Sequence, residues 1–133
     1  NPASVYLDGK IHLIYRAIDR DNVSTLGYAS TKDGFTIKER LSEPVYKPRE
    51  KFESKGCEDP RLTVIGDTLY MCYTAFDGIN NPRVALTSIS TKDFLAKNWV
   101  VGGLGFGLRG NKSFFTGKLG INIPFRNKDQ LKK

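Results

Sequence analysis

An eighteen-residue pattern occurs twice in this chain. Pro2 to Asp19 reads PASVYLDGKIHLIYRAID, and Pro60 to Asp77 reads PRLTVIGDTLYMCYTAFD, the second following the first at an offset of 58 with no gap. Pro2 matches Pro60, Tyr15 matches Tyr73, Ala17 matches Ala75 and Asp19 matches Asp77. Thr31-Lys32-Asp33 recurs as Thr91-Lys92-Asp93 at an offset of 60, so the repeating unit has almost the same length wherever it is measured. A fixed period of this size marks architectures in which one supersecondary unit stacks on the next.

Within each unit, short apolar runs are divided by turn signals. Val5 to Leu7 and Lys10 to Tyr15 flank Asp8-Gly9, and Thr63 to Ile65 and Thr68 to Tyr73 flank Gly66-Asp67. Both dipeptides are two-residue hairpin sequences, because Asp and Gly tolerate the positive φ such turns need. A third strand fits Ser24 to Ser30 and, in the second unit, Arg83 to Ser90; a fourth fits Thr36 to Arg40 or a run near Val45. Asp93 to Trp99 has room for about one helical turn. Four antiparallel strands per unit make a propeller blade, and a propeller closes with roughly four to eight blades. The 133 residues hold about two units and cannot close a ring alone. A two-sheet sandwich is the competing all-β reading, although a gapless repeat that opens on the same turn is more than sandwich pairing requires. The division expected is residues 1–58 as one blade, 59–100 as a partial second blade, and 101–133 as an irregular basic tail or the start of a third.

The net charge of +7 raises the question of nucleic acid, and its distribution answers it. Residues 101–133 hold seven Lys/Arg against the single acid Asp129, whereas residues 1–100 hold fourteen against thirteen. The excess sits in the tail, whose phenylalanines show no regular interleaving with the cations, as a stacking surface would demand; no nucleic-acid partner is expected. Cys57 and Cys72 are neither numerous nor at metal-ligand spacing, which points to small buried thiols in a reducing, cytoplasmic setting with no metal. The longest strongly apolar stretch, Val100 to Leu108, is short and glycine-rich, against the roughly 20 residues a membrane-spanning helix needs. No membrane partner is expected. The first residue is Asn rather than Met, and a fragment or processed chain is the expectation.

The repeat register brings Asn1 opposite Asp59, each directly before a proline. In a propeller the first strand of every blade lines the central channel, so these two side chains would share one axial pocket. Glu58-Asp59-Pro60-Arg61 is dense for a strand start: two carboxylates, a proline that cannot donate to a ladder, and a guanidinium. A loop in which Asp59 caps local N–H groups and pairs with Arg61 is the alternative. Arg16 interrupts an apolar strand where the repeat has Thr74, so it either holds a hydroxylated or anionic ligand or pairs with Asp19 or Asp21. His12, aligned with Tyr70, reads as a half-buried strand residue. Asp77-Gly78 reads as a turn whose carboxylate also has a chance of reaching the pocket.

These residues together resemble glycoside hydrolase family 130, the β-mannoside phosphorylases and related β-mannosidases. The resemblance is carried by Asn1-Pro2-Ala3, Tyr15-Arg16-Ala17, Leu26 to Ser30 with Asp33-Gly34, Gly56-Cys57-Glu58-Asp59-Pro60-Arg61, Tyr73 to Gly78, Arg83 to Leu86, and Asp93-Phe94 to Trp99, seven blocks in order over residues 1 to 99. It implies a five-bladed β-propeller with a sugar pocket on its axis. It also implies that Asp59 is the general acid and that Asn1 and Arg16 hold the mannosyl unit. Arg61 and Arg83 would orient the acid or the attacking anion, and Asp77 is a further substrate-binding candidate. The expected reaction is attack of inorganic phosphate on a terminal β-mannoside with inversion, releasing α-mannose 1-phosphate; some members use water, and a non-catalytic glycan-binding module is the remaining alternative. Phosphate is a co-substrate, and no cofactor is implied. After Trp99 the family pattern fades, so the isolated chain is expected to have an incomplete pocket, little activity, and exposed blade edges through which copies could associate.

Overall fold

A computed structural model describes residues 1–98 in full and, beyond them, the backbone of two strands at 104–109 and 112–117. The first repeat forms four strands, β1 (Ala3–Leu7), β2 (Lys10–Ile18), β3 (Ser24–Thr31) and β4 (Ile37–Arg40). The second forms β5 (Gly56–Ile65), β6 (Thr68–Phe76) and β7 (Arg83–Ser90), followed by a short helix, α1 (Thr91–Leu95). Each set is an antiparallel meander. The two meanders join through one parallel bridge, Ser24 to Gly56. β6 is as long as β2 and starts and ends at its repeat-equivalent positions, and β7 does the same for β3 with a shift of a single position, so the sequence repeat is a repeat of structure.

The matching hairpins are made differently. Asp8 and Gly9 both have positive φ (48° and 70°), the sign pattern of a type I′ turn, whereas in the second hairpin Gly66 alone is positive (57°), as in type II′. Both place the strands with the right-handed twist that β-pairs require. Both segments expected for a fourth strand are used. β4 pairs with one part of β3, and Val45 and Tyr46 hydrogen-bond to Leu26 further along it.

The core lies between the two meanders. Ile14, Leu26 and Tyr28 from the first meet Leu69, Tyr73, Ala75, Ala85 and Phe94 from the second, with Val45 and Tyr46 between them. Every residue of β3 is buried, since it has neighbours on both edges and both faces. Phe94 is carried inward by α1, whose Ser90 cap accepts from the Asp93 N–H at 3.0 Å and donates to its carboxylate at 2.6 Å. Its ring meets His12 edge-on at 5.3 Å and Tyr28 at 6.3 Å.

Two sequence expectations need correction. His12 is buried rather than half-buried, its Nδ1 2.8 Å from the Tyr28 hydroxyl and its Nε2 donating to the Leu7 carbonyl at 3.1 Å, because Phe94 covers that face of β2. Cys57 is buried, but Cys72 is exposed. Within the stretch read as an irregular tail or the start of a third blade, β8 (Leu104–Arg109) and β9 (Lys112–Gly117) pair as an antiparallel hairpin. Gly110-Asn111 between them is a hairpin sequence signal. Trp99, Val100 and the remaining positions of 101–133 lie outside the described residues.

Candidate functional site

The opening strands of the two modules lie beside one another, β1 against β5, as the first strands of successive blades do around a propeller channel. Asn1 directly precedes β1. Asp59 stands inside β5 at an irregularity of the ladder. Glu58 pairs with Thr74 and Arg61 with Cys72, so Asp59 and Pro60 together face the single residue Tyr73. This is a β-bulge, and its first residue, Asp59, has φ 47°. Such bulges normally place glycine in this left-handed position. Asp can adopt it at a cost of order 1–3 kcal/mol that its surroundings must offset. Pro60 has no N–H to lose from the broken ladder and is buried. Asp59 is thus turned out of the strand's ordinary alternation by a strained backbone, a device found near active sites where a side chain must be re-aimed.

One residue earlier, Glu58 anchors a polar cluster. Arg16 Nη2 lies 2.9 Å from Glu58 Oε1, Arg16 Nε donates to Ser24 Oγ at 2.9 Å, and Ser24 Oγ donates to the same Glu58 oxygen at 2.9 Å. The three side chains come from β2, β3 and β5, and the Ser24–Gly56 bridge sets their spacing. Gly56 is required there by close approach: a Cβ on it would stand 2.9 Å from Ser24 Cβ and 3.2 Å from Glu58 Oε1. Around the cluster lies a cleft of about 390 Å³, also lined by Ile18, Lys55 and Phe76, within the roughly 300–1,000 Å³ typical of ligand sites. A guanidinium, a carboxylate and an aromatic side chain in one cleft suit a polyhydroxylated ligand. Arg16 therefore does not pair with Asp19 or Asp21; its partner comes from the second module, far along the chain.

The other expected residues divide. Asp59 and Asn1 do not line this cleft; Asp59 follows the residue that does. Arg61 is exposed, donates to the Pro60 carbonyl at 2.7 Å, and among the described residues forms no ion pair with Asp59. Asp77 closes an Asx turn. Its Oδ1 accepts from the Ile79 and Asn80 N–H groups at 3.0 and 2.7 Å, and its Oδ2 from the Asn80 amide at 2.8 Å and Arg83 Nη2 at 3.3 Å. Those backbone donors, Asn80 first, hold its carboxyl down at about 2. Arg83 and Asp77 are thus brought to each other. The repeat partner of Asp77 has the same local use: Asp19 Oδ1 accepts from the Asp21 and Val23 N–H groups. Sequence reasoning did not single out Ser24 or assign Glu58 a partner. A second acid beside the expected one, and a polar residue at the start of a wholly buried strand, were the available signals.

The fold recurs in known proteins. The chain superimposes on a β-1,2-mannobiose phosphorylase from Listeria innocua, solved with β-1,2-mannobiose, with a TM-score of 0.60 at 16% identity, over 84% of this chain and 45% of that one. It also matches the GH32 β-fructofuranosidase of Bombyx mori with a TM-score of 0.55 at 18% identity, over 67% and 20%. The family model described as β-1,4-mannooligosaccharide phosphorylase matches residues 1–103. The chain belongs to glycoside hydrolase family 130. It is an all-β chain of the five-bladed propeller class, holding about two blades. A 1,2-β-oligomannan phosphorylase of Thermoanaerobacter sp. (strain X514) is 42% identical over 83 residues, covering 57% of this chain and 28% of the relative. A β-1,2-mannobiose phosphorylase from the same organism is 34% identical over 112 residues, covering 74% and 36%. The chain spans about a third of the length of these curated relatives. The family match contains both Asp59 and the Arg16–Ser24–Glu58 cluster.

Proposed function

We propose that this chain carries the acid-bearing face of a β-mannoside phosphorylase, with Asp59 as the general acid. The observation that carries the reading is the left-handed bulge at Asp59, strain spent on aiming one carboxyl group beside a polar cleft. Phosphate oxygen attacks C1 of the terminal β-mannosyl unit, the C1–O bond to the departing sugar breaks, and the departing oxygen takes up the proton that Asp59 supplies. The family resemblance routes that proton through the sugar's 3-hydroxyl. The configuration at C1 inverts and α-mannose 1-phosphate leaves. Water as attacker would have to surrender a proton to a base, but phosphate is already anionic, so a single essential carboxyl suffices. Arg16, fixed by Glu58 and Ser24, presents its guanidinium to mannosyl hydroxyls, and Asn1 approaches from the neighbouring opening strand. Arg61, Arg83 and Asp77 complete the substrate-binding proposal as they did in the sequence. Arg61 is the most available of them, since Arg83 and Asp77 hold each other. The division into two blades, expected at 58/59 and drawn at the start of β5 so that Glu58 belongs to the second, and association of copies through blade edges, are part of the same proposal.

The relatives' names favour a β-1,2 linkage and the family description a β-1,4 linkage, so both disaccharides enter the test. The complete protein is incubated with β-1,2- and β-1,4-mannobiose, with and without inorganic phosphate. Phosphate-dependent release of mannose 1-phosphate is the expected result. Free mannose formed equally without phosphate would replace phosphorolysis by hydrolysis, and no turnover of either disaccharide would leave a glycan-binding module.

A further inference from the structure

The most deeply buried charged residue among those described is one the proposed chemistry does not use. Glu53 ends a single 3-10 turn (Lys51–Glu53) in the connection between the modules and is fully buried. A carboxyl group in a core is costly unless its lone pairs are filled, and here both oxygens have partners. Oε1 accepts from the Arg49 and Glu50 N–H groups at 2.7 and 3.2 Å. Oε2 accepts from the Tyr73 hydroxyl at 2.5 Å and faces the Cys57 thiol at 3.6 Å. The Tyr73 hydroxyl also lies 2.8 Å from that of Tyr46, whose ring is covered by the Arg49 guanidinium at 4.8 Å. Burial pushes the Tyr73 hydroxyl and the Cys57 thiol well up, so both stay protonated and keep donating.

Two of the groups that Glu53 holds flank the bulge. Cys57 precedes Asp59 by two positions on β5, and Tyr73 is the one β6 residue that faces Asp59 and Pro60. A left-handed aspartate persists only where its surroundings over-determine it, and at the bulge the ladder that would normally do so is interrupted. We propose that Glu53, acting through Tyr73 and Cys57, is the positioning residue that holds Asp59 in its left-handed turn. The catalytic consequence rests on the reading of Asp59 as the acid. The conformational one does not.

The test uses the complete protein with 13C- and 15N-labelled aspartate, in the variants Glu53→Gln, Glu53→Leu and Tyr73→Phe, with Asp59→Asn as reference. NMR chemical shifts of Asp59 report its backbone conformation, and kcat and KM for mannobiose phosphorolysis are measured alongside. The expected result is that Tyr73→Phe and Glu53→Gln move the Asp59 signals away from left-handed values. In the same variants kcat falls about 10–100-fold, as for loss of a group that orients a reactive one, with KM little changed. Glu53→Gln, which keeps an acceptor, loses less than Glu53→Leu. Asp59 signals that stay in place in the variants that fold overturn the proposal, even if those variants melt earlier, because stability alone is what a merely structural network would lose. Should Tyr73→Phe not fold, Glu53→Gln carries the same readout. Full turnover by Asp59→Asn would remove the acid assignment while the shifts still decide whether Glu53 sets the bulge.

Discussion

The two modules share their repeat spacing and the lengths of their second and third strands, yet they differ at the positions where side chains meet across the boundary. β2 carries Arg16 where β6 carries Thr74, and both converge on Glu58: Arg16 by its guanidinium and Thr74 by backbone register. The first module makes an Asx turn at Asp19 that is exposed, while the second adds Asn80 and Arg83 to the same turn at Asp77. Thr31-Lys32-Asp33 closes a surface loop in which Asp33 accepts from Thr36, Phe35 and Thr31, but Thr91-Lys92-Asp93 starts a helix that drives Phe94 into the other module. Repetition supplies the frame, and departures from it supply the interface and the cleft. An identical pair of modules would have neither a cross-module guanidinium nor a residue plugging the space between them.

The largest effect that separates the modules is expected at Phe94. It belongs to the second but packs on His12 and Tyr28 of the first, and Phe94→Ala should cost about 3–5 kcal/mol in denaturant unfolding. A loss under about 0.5 kcal/mol, the range of surface changes, would mean the modules are not held together there. Next comes Arg16→Thr, which gives the first module the residue of the second. Loss of a charged hydrogen-bonding partner is worth about 1.5–3 kcal/mol, so KM for the mannoside should rise about 10–100-fold; the reverse change, Thr74→Arg, should not restore it. An unchanged KM would make the cluster purely structural. Smaller still is Gly66→Ala, with nothing within 4 Å to clash and only the left-handed backbone to oppose it, at about 1 kcal/mol. Asp8→Ala in the matching hairpin should be of the same order, since it too has positive φ; a difference above about 1 kcal/mol would show that one turn is held by more than its backbone.

The smallest effect concerns pH. Asp77 titrates at about 2 in the folded chain against 3.8 for a free carboxyl. Since its folded value is depressed, its contribution to stability is complete above about pH 4 and fades as the pH falls through about 2. Asp77→Asn should therefore flatten the acid limb of an unfolding titration in that window. An acid limb unaltered by the substitution would show that the Asx turn adds nothing.

Local features were legible in the sequence because they are set by neighbours in the chain. The hairpins at Asp8-Gly9 and Gly66-Asp67, the limits of β7, and the turn at Asp77 follow from turn chemistry and alternation. What was not legible depends on contacts far apart in sequence. Arg16 could have met Asp19, Asp21 or Glu58, and only the Ser24–Gly56 bridge selects the last. Glu53 looked like any charge in a Lys-Glu-rich connection, and nothing local says that Tyr73 and Cys57 will enclose it. The bulge at Asp59 stood between: Pro60 inside a strand is a recognised sign of one, but the left-handed φ at the preceding residue follows from the register with β6.

The chemistry proposed for this site stands or falls on the Asp59 carboxyl. Asn suits the left-handed position as Asp does, so Asp59→Asn removes the proton while leaving the backbone its conformation. In the complete protein, phosphorolysis of β-linked mannobiose by this variant should fall at least about a hundredfold, the low end of what a positioned acid contributes, with the Asp59→Asn backbone signals still left-handed. Undiminished release of mannose 1-phosphate from the same correctly folded variant would contradict the assignment.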